Sequence, residues 1–398
     1  MKITSIRVRR VTGTVPTAGP LWEERLVRPI DIYPEYRRQP PFEGGQQIDD
    51  HNLRITADFI EIATDEGVTG TAGPLIWPDA SRMVLTQLAP IIIGKDPLAI
   101  ELLWDQMHRA QVHGRQGEAM FALSAVDCAL WDIKGQAFGQ PVWRILGGPT
   151  TEEVPAYASM LGFAVEDLGK VRERAVAYKE QGYRAQKWFF RHGPMSGHDG
   201  LRKNVALVRT LREALGDDYD IMLDCWQSMS FDYAIDLCGR IEDYRPRWIE
   251  ECFMPDRIDT HVKLKAKTRI PLAGAEHEYT RWGFKRFVEK DALDVLQPDI
   301  YWCGGLSETL KIAAYASVHD VITIPHGHST PIGIHFSAAQ SPIHTPYQEY
   351  LVNWNEVNQH FLQTPLKPVR GSIPIPRGPG VGMALDPDKI EGETEVRV

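Results

Sequence analysis

The chain has no run of about eighteen consecutive apolar residues, so no membrane-spanning helix is expected. Its start, MKITSIRVRRVTG, is basic but lacks the apolar core of a secretory signal. With Ile3, Ile6 and Val8 near period two, it reads as a first β-strand. Positive charge is short as well: 44 Lys and Arg stand against 53 Asp and Glu, a net charge of −9. That deficit argues against nucleic acid or an anionic membrane surface as a partner, because both demand a basic face. A small anionic substrate stays open, since a bound divalent cation can reverse the sign locally. The five cysteines (Cys128, Cys225, Cys238, Cys252 and Cys303) are odd in number and show no CxxC spacing. They read as reduced thiols of a cytoplasmic protein. A glycine-rich dinucleotide fingerprint after the first strand is missing too, which counts against an open nucleotide-binding sheet.

At 398 residues the chain can bury a large core and is expected to form about two or three domains. Residues 1–125 read as an α+β capping domain, in which ITADFIEIATDEGVTG (55–70) alternates like a strand closed by a turn. The polar, Pro-rich stretch at about 15–50, which contains YPEYRRQPPFEGG, has no regular pattern. Such a segment is either disordered or a lid, and its aromatics and arginines favour a substrate lid. From 126 to 354, short apolar strands alternate with amphipathic helical intervals. The strands are VPAYASML (154–161), RAQKWFF (184–190), YDIMLDCW (219–226), WIEECF (248–253), IPLAGAE (270–276), DVLQPDI (294–300), ITIPHGH (322–328) and YQEYL (347–351). Eight of them at this spacing predict a closed parallel α/β barrel. The Pro- and Gly-rich tail, 355–398, is expected to pack back on the cap.

Functional groups of such a barrel sit where strands end and βα loops begin. Five consecutive strand candidates carry an ionisable residue there: Asp224, Glu250, Glu276, Asp299 and His326. The first three follow at equal intervals of 26 residues. Any one of them reads also as a helix N-cap or a solvated loop acid; three at matching places read as a metal site. Three carboxylates with exchangeable oxygens suit Mg²⁺, one ion per active site. In RWIEECF (247–253) two acids adjoin, and strand alternation lets only one face the centre. Glu250 keeps the interval, so Glu251 is expected to meet helix or loop donors. Cys225 and Cys252 read as packing residues, and no ligand spacing supports a zinc site built from cysteines with His277 or His328. Asp299 beside His326 would fix the tautomer of the imidazole and raise its basicity, as a general base requires. Alone, His326 reads as a polar loop residue after Pro325.

MLDCWQS, RWIEEC, AGAEHE, LQPDIYWCGGL and IPHGHS, in this order, resemble the enolase superfamily, mandelate racemase branch. Within it they are most similar to the L-rhamnonate dehydratase group of acid-sugar dehydratases. VDCALWDIKGQAFGQPVWRILGG (126–148) resembles the join between cap and barrel. The resemblance implies an N-terminal α+β cap over a modified (β/α)7β barrel, Mg²⁺ on Asp224, Glu250 and Glu276, and a His326–Asp299 dyad. The implied activity is dehydration of an aldonic acid sugar to a 2-keto-3-deoxy acid. In it, His326 takes the α-proton, an enediolate forms, and the protonated ring assists loss of the β-hydroxyl. Two alternatives stand beside it: an epimerase or cycloisomerase of the same superfamily, and a non-catalytic metal-binding barrel. Relatives of this architecture also imply a homo-oligomer.

Racemases of this branch carry K-x-K on the second barrel strand, where this chain has Lys187 and then Phe189. Phenylalanine moves no proton, so syn elimination by His326 alone is expected. Lys187 reads either as a contact to the substrate carboxylate or metal, or as a salt bridge inside the barrel. Glu349 corresponds to an acid that hydrogen-bonds the substrate carboxylate in mandelate racemase. His277 reads as facing substrate or standing behind the metal ligands. Rhamnonate dehydratases have a His-Trp pair in the cap loop; here that place reads Leu21-Trp22, without the histidine. Trp22, Arg37 and Arg38 read either as walls of a sugar-acid pocket or as exposed cap residues. RHGP (191–194) adds Arg191 as a pocket-loop residue.

Overall fold

Val11, Gly13 and Val15 bury one face of β1 (Ile3–Pro16), and Thr12, Thr14 and Pro16 between and after them stay nearer to solvent. In the computed structural model, which describes residues 1–40, 45–75 and 77–397, this strand opens an antiparallel sheet. It continues through β2 (Gln46–Asp49), β3 (Asn52–Thr64) and β4 (Thr69–Leu75), with β3 pairing β1 from Pro16↔Asn52 to Ile3↔Thr64. The helix Glu118–Ala137 is buried over most of its length because it lies between this sheet and the second domain. Two of its buried groups are acids, and both are satisfied across the join. Asp127 accepts from the Ser307 N–H (3.0 Å) and Oγ (2.6 Å), and Asp132 from the N–H groups of Thr71 (2.9 Å) and Val381 (2.7 Å). Burial pushes their carboxyls up to about 7 and about 6.

The second sheet is parallel and curls through eight strands. They are β5 (Glu153–Ser159), β6 (Ala185–Phe189), β7 (Asp220–Asp224), β8 (Trp248–Glu250), β9 (Leu272–Gly274), β10 (Val295–Leu296), β11 (Ile322–Thr323) and β12 (Gln348–Leu351), in the order β11-β10-β9-β8-β7-β6-β5-β12. No ladder joins β11 to β12, but the Thr323 N–H donates to the His344 carbonyl at 2.8 Å and the Gly327 N–H to the Glu349 carboxylate at 3.0 Å. All eight expected strands are present in order; several are shorter than their apolar runs. β10 and β11 stop early because Pro298 and Pro325 have no N–H to give a ladder. In the tail, β13 (Ser372–Pro374) lies antiparallel on β5, and β14 (Gly392–Glu395) on β1. Arg9 clamps that last pairing, reaching Glu61 at 2.6 Å and both oxygens of Glu393 at 2.8 and 2.7 Å. The five cysteines are buried and unpaired. No helix among the described residues is long and apolar enough to cross a membrane.

Of the expected lid, residues 41–44 lie outside the described residues. Residues 17–40 run over the ends of the barrel strands and are tied down there. The Glu23 N–H donates to the Gly162 carbonyl (2.7 Å), the Val27 N–H to Phe190 (2.9 Å), and Ser228 Oγ to the Val27 carbonyl (3.0 Å). Buried Arg25 organises this segment. It grips Asp31 with two nitrogens and donates to the carbonyls of Leu26, Tyr36, Arg37 and Gln39.

Candidate active site

Period two carries the polar groups into the barrel. Tyr157, Ala185, Met222, Trp248, Ala273, Val295 and Ile324, one from each of seven neighbouring strand segments, pack into one apolar cluster. Two residues further along, on the same inward face, stand Ser159, Lys187, Asp224, Glu250, Ala275, Gln297 and His326. The eighth strand adds Glu349 two residues beyond Tyr347, which packs on that cluster. An apolar layer thus supports a layer of acids and bases.

Alternation alone would turn Glu276 outward. It follows Ala275, whose φ of +74° reverses the side-chain sequence after β9. This corrects the expectation that Glu276 ends a strand: β9 ends at Gly274, and a left-handed turn brings Glu276 to the cavity. Trp226 (φ 40°), Gln227 (φ 64°) and Glu251 (φ 45°) make similar left-handed turns after β7 and β8. Strained conformations of this kind cost about 1–3 kcal/mol each and cluster at functional sites.

Lys187 is almost fully buried at the centre. Its ammonium pairs with Glu250, lies 2.7 Å from Glu349 Oε1, and is 3.7 Å from Asp224. Glu250 also accepts from Trp248 Nε1 (3.0 Å) and Gln297 Nε2 (2.7 Å). Burial and then Glu250 and Glu276 push the Asp224 carboxyl well above its ordinary range, although Lys187 opposes them. Burial likewise raises Glu250, and lifts Glu276 to about 7. Glu251 behaves in the opposite way. Despite burial it is held below the usual range by His277 (3.1 Å) and Gln227 Nε2 (3.1 Å), both donors on loops.

The residues present fit a divalent cation. Asp224, Glu250, Glu251, Glu276, Asp299 and Glu349 are all buried, and among the described residues only Lys187, His277 and His326 pair with them as cations. Even with both rings protonated, negative charge is in excess, and hard carboxylate oxygens suit Mg²⁺. Two groups have ligand atoms all within 4.8 Å of one another: Glu251, Glu276 and His277, and Asp299, His326 and His328. Among the described residues neither group contains a cysteine, and Asp224 and Glu250, which lie beside the Lys187 ammonium, belong to neither.

His326 Nδ1 lies 2.8 Å from Asp299 Oδ2, and Asp299 Oδ1 accepts from the Tyr301 N–H (2.8 Å) and Ser329 Oγ (2.7 Å). With both carboxylate oxygens engaged, Nε2 is the nitrogen left for the cavity, 3.4 Å from Glu276. Burial would depress this imidazole, but Glu276, Asp299 and Glu349 raise it to about 10. His277, against the same penalty, is raised to about 9 by Glu251 and Glu276.

A cavity of about 580 Å³ opens above these groups. Of the residues singled out in the sequence, Trp22, Lys187, Asp224, Glu276, His277 and His326 line it. Glu250, Asp299 and Glu349 lie just beneath, inaccessible to solvent. Arg37 and Arg191 face a separate, smaller cavity, and Arg37 spends its guanidinium on the carbonyls of Asp31 and Ile32 (2.8 Å each). Arg38 is exposed. Sequence reasoning passed over Trp226, Trp302 and Trp354, which with His328 complete an aromatic wall: Trp302 lies 5.0 Å from the His326 ring, and Trp354 5.1 Å from Trp22. Their signal was the density of tryptophan at strand ends.

Two family models match: Mandelate racemase / muconate lactonizing enzyme, N-terminal domain, over residues 54–147, and Enolase C-terminal domain-like over residues 170–389. An L-rhamnonate dehydratase of Saccharopolyspora erythraea is 32% identical over 403 residues, covering 98% of this chain and 97% of that protein. Rhamnonate dehydratase from Gibberella zeae, solved in complex with Mg, superposes with a TM-score of 0.82 at 31% identity over 98% of this chain and 95% of that one. The 3,6-anhydro-D-galactonate cycloisomerase of Zobellia galactanivorans gives 0.78 at 28% identity, covering 98% and 99%. By sequence and fold, this chain belongs to the mandelate racemase/muconate lactonizing enzyme family of the enolase superfamily.

Proposed function

We propose that the chain dehydrates an aldonic acid sugar to a 2-keto-3-deoxy acid in a Mg²⁺-dependent reaction, with His326 as its single base and acid. Asp224, Glu250 and Glu276 would hold the ion, which when bound supplies positive charge where the substrate carboxylate gains negative charge. His326 Nε2 takes the α-proton, Asp299 keeps the ring in the tautomer that allows this, and the same nitrogen then protonates the departing β-hydroxyl. Lys187 is no second base. Despite burial, Glu250 and Glu349 hold its pKa well above ordinary, so it stays charged. Phe189 lines the cavity where a second lysine would stand. An imidazole held by Asp299 and facing the cavity, with Phe189 where a second lysine would stand, is the observation that carries the reading.

A panel of hexonates and 6-deoxyhexonates with Mg²⁺, assayed for 2-keto acids with semicarbazide, tests it. Turnover should come with α-proton exchange on one face only. Exchange on both faces would favour an epimerase; a metal-loaded protein that converts nothing would favour a non-catalytic barrel.

The ligand set has its own test. Glu250→Gln should weaken Mg²⁺ binding by about 100-fold or more, and Glu251→Gln by no more than the roughly tenfold expected for a group behind the ligands. The reverse order, read by calorimetry, would move the ion to Glu251, Glu276 and His277.

A further inference from the structure

The main cavity and the smaller one, of about 190 Å³, share a wall residue, Arg28. The smaller cavity is lined also by Asp31, Arg37, Glu166, Arg191 and His192. Sites that hold a whole small ligand run to roughly 300–1,000 Å³. This one is too small for that and suits one end of a molecule seated in the other. The chain links the two: Lys187 and Phe189 face the large cavity, Arg191 and His192 the small one.

The small cavity holds unspent positive charge in a chain of net charge −9. Asp31 is taken up by Arg25 at 2.5 and 3.1 Å, with Arg28 at 3.5 Å. Glu166 is shared by His192 and Lys203, each at 3.1 Å. Arg28 bonds the Tyr36 carbonyl and Gln39 through Nη2, but its buried Nε has no acceptor among the described residues. Arg191 has no hydrogen bond or ion pair among them at all. Burial and the nearby Arg25 pull its pKa below ordinary, although Glu166, Asp31 and Glu24 oppose them without bonding it.

We propose that Arg191 and Arg28 form a subsite for an anionic group at the far end of the substrate. The acid sugar processed here then carries a second anion, a carboxylate or a phosphate, beyond the carbons that react. This narrows the dehydratase reading and rests on it. A guanidinium fork recognises either group through paired N–H donors. Arg191 takes no part in proton transfer, so its effect belongs in KM.

Three substrate sets with Mg²⁺ test the subsite: hexonates, hexarates and hexonate 6-phosphates, each with wild type, Arg191→Met and Arg191→Lys. One anion-ended set should exceed the hexonates in kcat/KM by about tenfold or more, and which set does so identifies the anion. Arg191→Met should raise KM for that set by about 10–100-fold, the range of a charged hydrogen bond. Its kcat and the hexonate KM should change little, and Arg191→Lys should recover part of the loss. Preference for hexonates in the wild type, or an equal effect of Arg191→Met on all sets, overturns the subsite alone. No 2-keto acid from any set overturns the dehydratase reading and the subsite together.

Discussion

His326→Asn should lower the dehydration kcat by about 10⁴-fold or more and leave Mg²⁺ affinity nearly unchanged. A positioned acid or base contributes roughly 10²–10⁴-fold to a step, and this ring is assigned both proton transfers. A 10⁴-fold loss is about 5.4 kcal/mol of barrier. Neither residue of the second strand can substitute, because Lys187 is locked among carboxylates and Phe189 has no proton to give. Calorimetry beside the kinetics separates the possible outcomes. A large loss of metal would make His326 a ligand, whereas Mg²⁺ prefers oxygen donors. The electrostatics add a second expectation. Burial disfavours the imidazolium, yet Glu276, Asp299 and Glu349 hold it charged up to about 10. A histidine raised in this way stabilises the fold fully below about 6.5, and that contribution is lost as pH rises through about 10. For proton abstraction the same shift is adverse, since a charged ring accepts nothing. Offsetting the charge of Glu276 should therefore lower the titration midpoint of the ring. Following its ring protons by NMR while Mg²⁺ is added reads this directly, and an unmoved midpoint would place the ion away from Glu276.

The barrel was legible because each strand is an apolar run bounded by turn residues, and because acids recur at one βα interval from Asp224 to Glu276. Alternation said only that one of Glu250 and Glu251 faces inward, and the 26-residue interval chose Glu250; in the structure Glu251 meets His277 and Gln227. Delivery of Glu276 did not follow. It depends on a left-handed Ala275, and alanine, unlike glycine or asparagine, carries no sign of that conformation. The prolines, aromatics and arginines of the 15–50 stretch marked it as irregular, but which arginine organises it was not visible. Arg25 is encircled by carbonyls that converge only once the loop has folded, whereas the Arg37-Arg38 pair that stood out in the sequence ends on loop carbonyls and at the surface. Aromatic walls escape notice for a similar reason. Trp226, Trp302 and Trp354 lie far apart in sequence and meet only around the cavity.

Lys187→Met should destabilise the protein by about 3–5 kcal/mol, the cost of leaving buried carboxylates without their cation. Glu250 and Glu349 are both inaccessible to solvent, and methionine fills the volume without supplying charge. The wild-type ammonium, held well above its ordinary pKa, contributes stability that is present below about 10.4 and lost only at higher pH. In the variant the stranded acids must take up protons to stay buried, so its stability should fall as pH rises through about 4.3, the ordinary glutamate value. Urea midpoints at pH 4 and pH 8 would show this crossing. Adding Glu349→Gln removes one stranded charge, so the double variant should recover part of the loss, with a coupling of about 0.5–3 kcal/mol. Strict additivity would mean that the two side chains do not share one charge network. Mg²⁺ gives the final discrimination: if Asp224 and Glu250 are its ligands, the ion should stabilise Lys187→Met more than wild type, because it no longer competes with the ammonium for the same oxygens. Equal stabilisation would put the ion elsewhere.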